Sequence, residues 1–162
     1  MMIAHYKALA LQKQDAHRAF LAGLKKKPPK NLDQLTKEIH EAVFSEIDCT
    51  DCANCCSTLG PLFSEADINR IAKHLRLKLS RFESTYLQVD EDGDKIFQSM
   101  PCPFLAPDKL CDIYAVRPKA CREFPHTDRK KIYQINPLTL KNTVICPATY
   151  LFVEKLRARL GR

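Results

Sequence analysis

The chain has no tryptophan, only four glycines and no apolar run long enough to cross a bilayer. Scarce glycine leaves little material for a phosphate-cradling loop, and neither a P-loop nor a G-x-G-x-x-G run occurs. Without tryptophan, and with no aromatics interleaved among its basic clusters, the sequence lacks the stacking platform of a single-strand nucleic-acid binder. No hydrolytic Ser/His/Asp grouping stands out. At the amino terminus Lys7, Gln12, Lys13 and Asp15 interrupt any apolar stretch, so no signal peptide is expected and a cytoplasmic location is.

With 162 residues, 45% hydrophobic and 28% charged, the chain has the composition of a globular protein able to bury a core without staples. One domain over 1–162 is expected. The formal charge of +7 counts every thiol as neutral, and thiolates holding divalent ions would lower it. The basic clusters are Lys25-Lys26-Lys27 with Lys30, Arg129-Lys130-Lys131, and Arg157, Arg159 and Arg162. They read as solvated faces, so neither nucleic acid nor membrane is expected as a partner.

Against these absences stand eight cysteines, four of them in Cys49-Thr50-Asp51-Cys52-Ala53-Asn54-Cys55-Cys56. Spacing of two residues between successive cysteines lets one tight turn aim two sulfurs at a common point, as metal knuckles do. Cys102, Cys111, Cys121 and Cys146 follow at a distance and can close such a site. In a reducing compartment this pattern reads as metal rather than disulfide. Cys49, Cys52 and Cys55 make the C-x2-C-x2-C triplet of a four-iron cluster, and Cys102-Pro103 and Cys146-Pro147 each offer a remote fourth ligand.

Cys56 is surplus to that first site, and because adjacent side chains diverge it would point to a second. Eight thiols divide equally well into two tetrahedral zinc sites, or one zinc and one cluster. His126 is the candidate nitrogen ligand, whereas His5, His17, His40 and His74 lie in helical patterns where exposure is expected. Cys111, beside Leu110 and Ile113, equally suits a plain buried position. A thiol–disulfide role would use the same C-x-x-C and vicinal pairs, but no thioredoxin-like strand–helix–strand pattern surrounds them.

Along the chain, apolar positions predict an amphipathic helix from about Ala4 to Leu24, stopped by lysines and Pro28-Pro29. A second helix, capped by Asn31 or Asp33, runs through Leu32, Leu35, Ile39, Val43 and Ile47 and delivers the chain to Cys49. These two are expected to pack as a hairpin, making a helical region over 1–47. Ser64 with Asp67, and Ser80 with Glu83, open two further helices. Asp92-Gly93 turns a hairpin between Val89 and Phe97; its acidic residues lack the offsets of a calcium loop. Short turns surround Pro118 and Cys121, and a last helix covers 147–160 with Cys146 at its cap.

The Cys49–Cys56 run, Pro101-Cys102-Pro103-Phe104-Leu105, Cys111-Asp112-Ile113-Tyr114, and Arg117-Pro118 with Cys121-Arg122-Glu123-Phe124-Pro125 together resemble the YkgJ-type CxxCxxCC cysteine-cluster family. That family is described as zinc- or iron-chelating, with some members labelled iron–sulfur proteins. The resemblance covers about Cys49 to Pro147 and implies metal binding through Cys49, Cys52, Cys55, Cys56, Cys102, Cys111, Cys121 and Cys146, with zinc, iron or a four-iron cluster as cofactor. It names no reaction. Arg117 and Arg122 suit either a role beside the thiolates or ion pairs with Asp112 and Glu123. Tyr114, Phe104 and Phe124 suit an apolar wall.

The fold expected is a mainly α, small α(+β) single domain, with a cysteine-ligated metal region over 49–147, one short hairpin and a loop-rich centre. The function expected is metal binding. Its alternatives are an iron–sulfur oxidoreductase, electron carrier or redox sensor with a protein or redox partner, and an interaction module with structural zinc.

Overall fold

A computed structural model describes residues 2–161, without the side chain of Met2. Met1, and Arg162 of the terminal basic cluster, lie outside it. The fold is mainly helical with one two-stranded antiparallel hairpin. Contacts within the chain group it into two units, Met1–Cys49 with Pro125–Arg162, and Thr50–Phe124.

The first unit holds α1 (Met2–Gln12), α2 (Gln14–Lys26), α3 (Leu32–Glu46), a 3-10 turn (Ile132–Ile135), α9 (Asn136–Ile145) and α10 (Pro147–Arg159). On α2 the buried positions His17, Phe20, Leu21 and Leu24 recur at helical spacing, and on α3 Leu32, Leu35, Ile39 and Val43 do the same. These stripes meet Phe152, Val153 and Leu156 of α10 in one core.

Three features differ from the expectations drawn from sequence. The first helix is two, because Lys13 leaves helical geometry at φ −97°, ψ 6°. The expected hairpin gives way to closure by the carboxyl-terminal helices: α3 packs along α10, and α1 and α2 along α9. Helix α9 itself is legible only in its Pro137 at a first-turn position, since its apolar residues keep no sharp helical stripe.

The second unit contains α4 (Cys49–Cys52, beginning at the last residue of the first unit), α5 (Asn54–Thr58), α6 (Glu65–His74), α7 (Leu79–Tyr86), β1 (Leu87–Val89), β2 (Lys95–Phe97), a 3-10 turn (Tyr114–Val116) and α8 (Lys119–Glu123). Ser64 and Asp67 form the predicted capping box on α6. The Ser80 signal is not used; the cap falls two residues earlier, at Lys78, and α7 starts at Leu79. The hairpin pairs Leu87 with Phe97 and Val89 with Lys95. Its turn is built by Asp90, whose Oδ1 accepts from the amides of Asp92 (3.0 Å) and Asp94 (2.9 Å), and by Gly93 at φ +85°.

Phe63, Ile68, Ile71, Phe82, Leu87, Phe97, Phe104 and Ile113 form this unit's core. Phe63 meets Phe97 edge-on at 4.8 Å between ring centroids. Cys102 and Cys111 pack against the same cluster, so the core carries two of the candidate ligands.

Candidate metal centre

Six of the eight cysteines, Cys52, Cys55, Cys56, Cys102, Cys111 and Cys121, lie in the second unit, while Cys49, Cys146 and His126 belong to the first. Cys52, Cys56, Cys102, Cys111 and Cys121 carry free thiols.

The turn between α4 and α5 is made by Ala53, buried and held in the left-handed region at φ +49°. That conformation is uncommon for alanine and reverses the chain between Cys52 and Cys55. In the short helix that follows, the Leu59 amide donates to the Cys55 carbonyl at 2.7 Å. The Sγ atoms of Cys55 and Cys56 stand 3.9 Å apart, so these neighbours converge where divergence was expected.

Cys102 and Cys111 sit on the two arms of a small hairpin. Leu105 and Cys111 pair antiparallel, the Asp112 amide donates to the Phe104 carbonyl at 2.9 Å, and the Ala106 amide to that of Leu110 at 2.9 Å. Lys109 makes the tight return at φ +69°, and its Nζ donates to the Asp51 carbonyl at 3.1 Å. The Cys102 amide donates to the Cys56 carbonyl at 2.8 Å, which ties the hairpin to the vicinal pair. The amides of Phe104 and Ile113 favour the ionised thiols of Cys102 and Cys111, and the Leu105 amide donates to the Cys102 carbonyl at 3.1 Å. Donors placed just beyond a cysteine stabilise its thiolate.

Cys121 is carried by α8, whose start is pinned by Asp67. That buried carboxylate accepts from the Lys119 amide (3.1 Å), Ser64 Oγ (2.6 Å) and Arg70 Nη2 (2.5 Å). Arg70 in turn donates to the carbonyls of Val116 (3.2 Å) and Arg117 (3.0 Å). Burial opposes the charge of Asp67, but the bonds from Ser64, Arg70 and Lys119 win and hold its carboxyl down to about 2. This hub is what the sequence reading missed; its only trace there was the capping box.

The thiols sense one another. A hydrogen bond from Cys55 brings Cys56 down to about 7 against burial, with its own amide helping. Burial raises Cys102 to about 11, with Cys56 and Cys111 adding to the rise. Burial also raises Cys111, against the Ile113 amide and Arg117. Surrounding protein mass, then the charges of Cys56, Cys102 and Cys111, push Cys121 up to about 12. Water reaches this residue, which tempers the first cause and leaves the repulsion among sulfurs. Four thiols thus lie within electrostatic reach of each other and resist ionising together, the condition a cation relieves.

Arg117 lies 3.7 Å from the centroid of the Tyr114 ring and donates to the Tyr114 carbonyl at 2.9 Å. Glu123 pairs with Lys119 at 3.6 Å. Of the three aromatics expected to wall the site, Phe104 is buried in the core, Phe124 is half-buried, and Tyr114 is exposed.

Soft thiol donors are what zinc and iron both accept, so the chemistry of the donor set fits such a metal. Among the described residues no three His, Cys, Asp or Glu side chains stand together in a group that could hold a metal ion. What is built is the pair at 3.9 Å and the hairpin that carries Cys102 and Cys111.

A family model described as “CxxCxxCC: Putative zinc- or iron-chelating domain” matches residues 48–146, more than half of the chain. The chain belongs to the CxxCxxCC family. The matched span opens one residue before Cys49, ends on Cys146 and so contains all eight cysteines. Searches of the curated proteins and of the solved structures return no match.

Proposed function

We propose that the second unit holds one zinc-type ion through Cys102, Cys111, Cys121 and a corner supplied by Cys55 or Cys56, and that this centre organises its loops. The observation that carries the reading is the hairpin, with a cysteine on each arm and its Cys102 amide bonded to the Cys56 carbonyl at 2.8 Å. The vicinal spacing supports it. Cys55 and Cys56 stand 3.9 Å apart, close enough for either one to be brought to the same corner. Either sulfur suits the corner.

When bound, the metal would supply positive charge that lets four mutually repelling thiols ionise together. The chain's own residues do the rest. The Phe104 and Ile113 amides favour the ionised form of two sulfurs, Asp67 and Arg70 hold the helix that presents Cys121, and Arg117 adds a positive charge beside Cys111 and Cys121. Such a centre is at home in a reducing compartment.

A second reading is favoured by one feature, the Cys49, Cys52, Cys55 triplet with two cysteine–proline steps downstream. It makes the chain an iron–sulfur protein with a redox partner. Elemental analysis of protein purified without oxygen, read with its visible spectrum, separates the two. Colourless protein with near-stoichiometric zinc that survives Cys52→Ser supports the four-thiolate ion. Iron with broad charge-transfer bands, lost in Cys52→Ser, would overturn it in favour of the cluster.

A further inference from the structure

In the first unit a shallow groove of about 570 Å³ is lined by Ala16, Ala19, Phe20, Gly23, Lys26 and Arg157. Ala16, Ala19, Gly23 and Lys26 follow one another along α2 over ten residues, about 15 Å at 1.5 Å per residue. Buried Phe20 is its floor. Gly23 opens it: a Cβ there would meet nothing within 4 Å.

Two cations, Lys26 and Arg157, line the groove, and Lys26 belongs to the exposed run Lys25-Lys26-Lys27, none of which enters an ion pair among the described residues. Arg157 binds Glu154 through Nη1 at 2.8 Å and keeps a buried Nε with no hydrogen-bond acceptor. Apolar floor, small side chains and an unpaired lysine therefore coincide on α2, beside Arg157 of α10.

We propose that this groove docks an acidic amphipathic helix of a protein partner. A row of small residues three and four apart admits the ridge of another helix at close range. A strand would need a sheet edge, and helix surfaces offer none. Nucleic acid would answer the lysines but leave the apolar floor unused. A second copy of this chain, with a formal charge of +7, would bring like charge to like. An acidic helix satisfies both halves of the surface, its apolar stripe over Phe20 and its carboxylates toward Lys26 and Arg157.

The test titrates the full chain, followed by fluorescence anisotropy, with labelled helical peptides of about three heptads. One carries Leu–Glu amphipathic heptads, one the same residues scrambled, and one Leu–Lys heptads. The expected result is that the first binds roughly tenfold tighter than the scramble, that Lys26→Glu weakens it by about tenfold, and that the lysine peptide does not bind. Gly23→Leu fills the groove with a better helix former and should abolish binding. Should that variant fail to fold by circular dichroism, Ala19→Leu makes the same test. Equal binding of the scramble, binding of the lysine peptide, no binding of the first peptide, or unchanged binding by a folded groove-filled variant would each overturn the proposal.

Discussion

The amide of Cys102 donates to the carbonyl of Cys56 at 2.8 Å, joining residues forty-six positions apart in the segment that carries the cysteines. The bond sets the hairpin of Cys102 and Cys111 against the vicinal pair. Ligand positions supported by backbone hydrogen bonds in this way lose less freedom on binding than sulfurs on a slack loop.

Single replacements should divide the thiols into two classes. Cys102→Ser, Cys111→Ser and Cys121→Ser should each remove most of the bound metal. Cys55→Ser and Cys56→Ser should each retain part of it, because the remaining neighbour is 3.9 Å away, and the double variant should lose it. Metal content per chain measures this; equal loss in all five single variants would contradict interchangeable corners.

Asp67 links the start of α6 to the start of α8. Its carboxyl is held at about 2 against an ordinary value of 3.8, so its contribution is complete above pH 3.8 and is lost as pH falls toward 2. That contribution is about 2 kcal/mol. Asp67→Asn should lose a similar amount at pH 7 by urea denaturation, show little further loss from this site in acid, and loosen the metal through Cys121.

In the first unit His17 has no exposed surface, contrary to the exposure expected of it, and hydrogen-bonds Glu154 at 2.9 Å. Burial outweighs the pull of Glu154 and lowers the imidazole below 6.5, so the neutral ring donates from Nε2 to the carboxylate. The unfolded chain then binds a proton that the folded one resists, and stability should fall as pH drops below 6.5. Glu154, held down to about 2 by Lys13, His17 and Arg157 against burial, adds a separate loss between pH 4.5 and 2. Thermal melts of His17→Gln should lack the first slope and keep the second.

Phe104 is 5% exposed and lies one residue before the Leu105–Cys111 pairing. Phe104→Ala should cost about 3–5 kcal/mol by leaving a cavity in the core that carries Cys102 and Cys111. Denaturation and metal retention should fall together, since the same side chain anchors the hairpin.

Periodicity made α2, α3 and α6 legible, Pro147 at a first helical position gave α10, and turn chemistry gave the 87–97 hairpin and the Ser64–Asp67 cap. The signal at Ser80 did not hold, because Lys78 takes the extended cap position and the helix starts before it. His17 was misjudged because a polar residue among alanines looks solvent-facing until a carboxylate from α10 is brought against it. The vicinal sulfurs were expected to diverge, a rule for strands; on the short helix α5 they lie 3.9 Å apart.

By itself the sequence determined the donor chemistry, eight sulfurs in a spacing that suits a metal, because ligand softness and local turn geometry are properties of neighbours in the chain. It also determined the helical character, through local periodicity. Only the tertiary structure decided which sulfurs share a unit, that Asp67 positions the helix of Cys121, and that α3 closes against α10. Those are long-range pairings, chosen by which buried surfaces and hydrogen bonds fit together, and no local pattern encodes them.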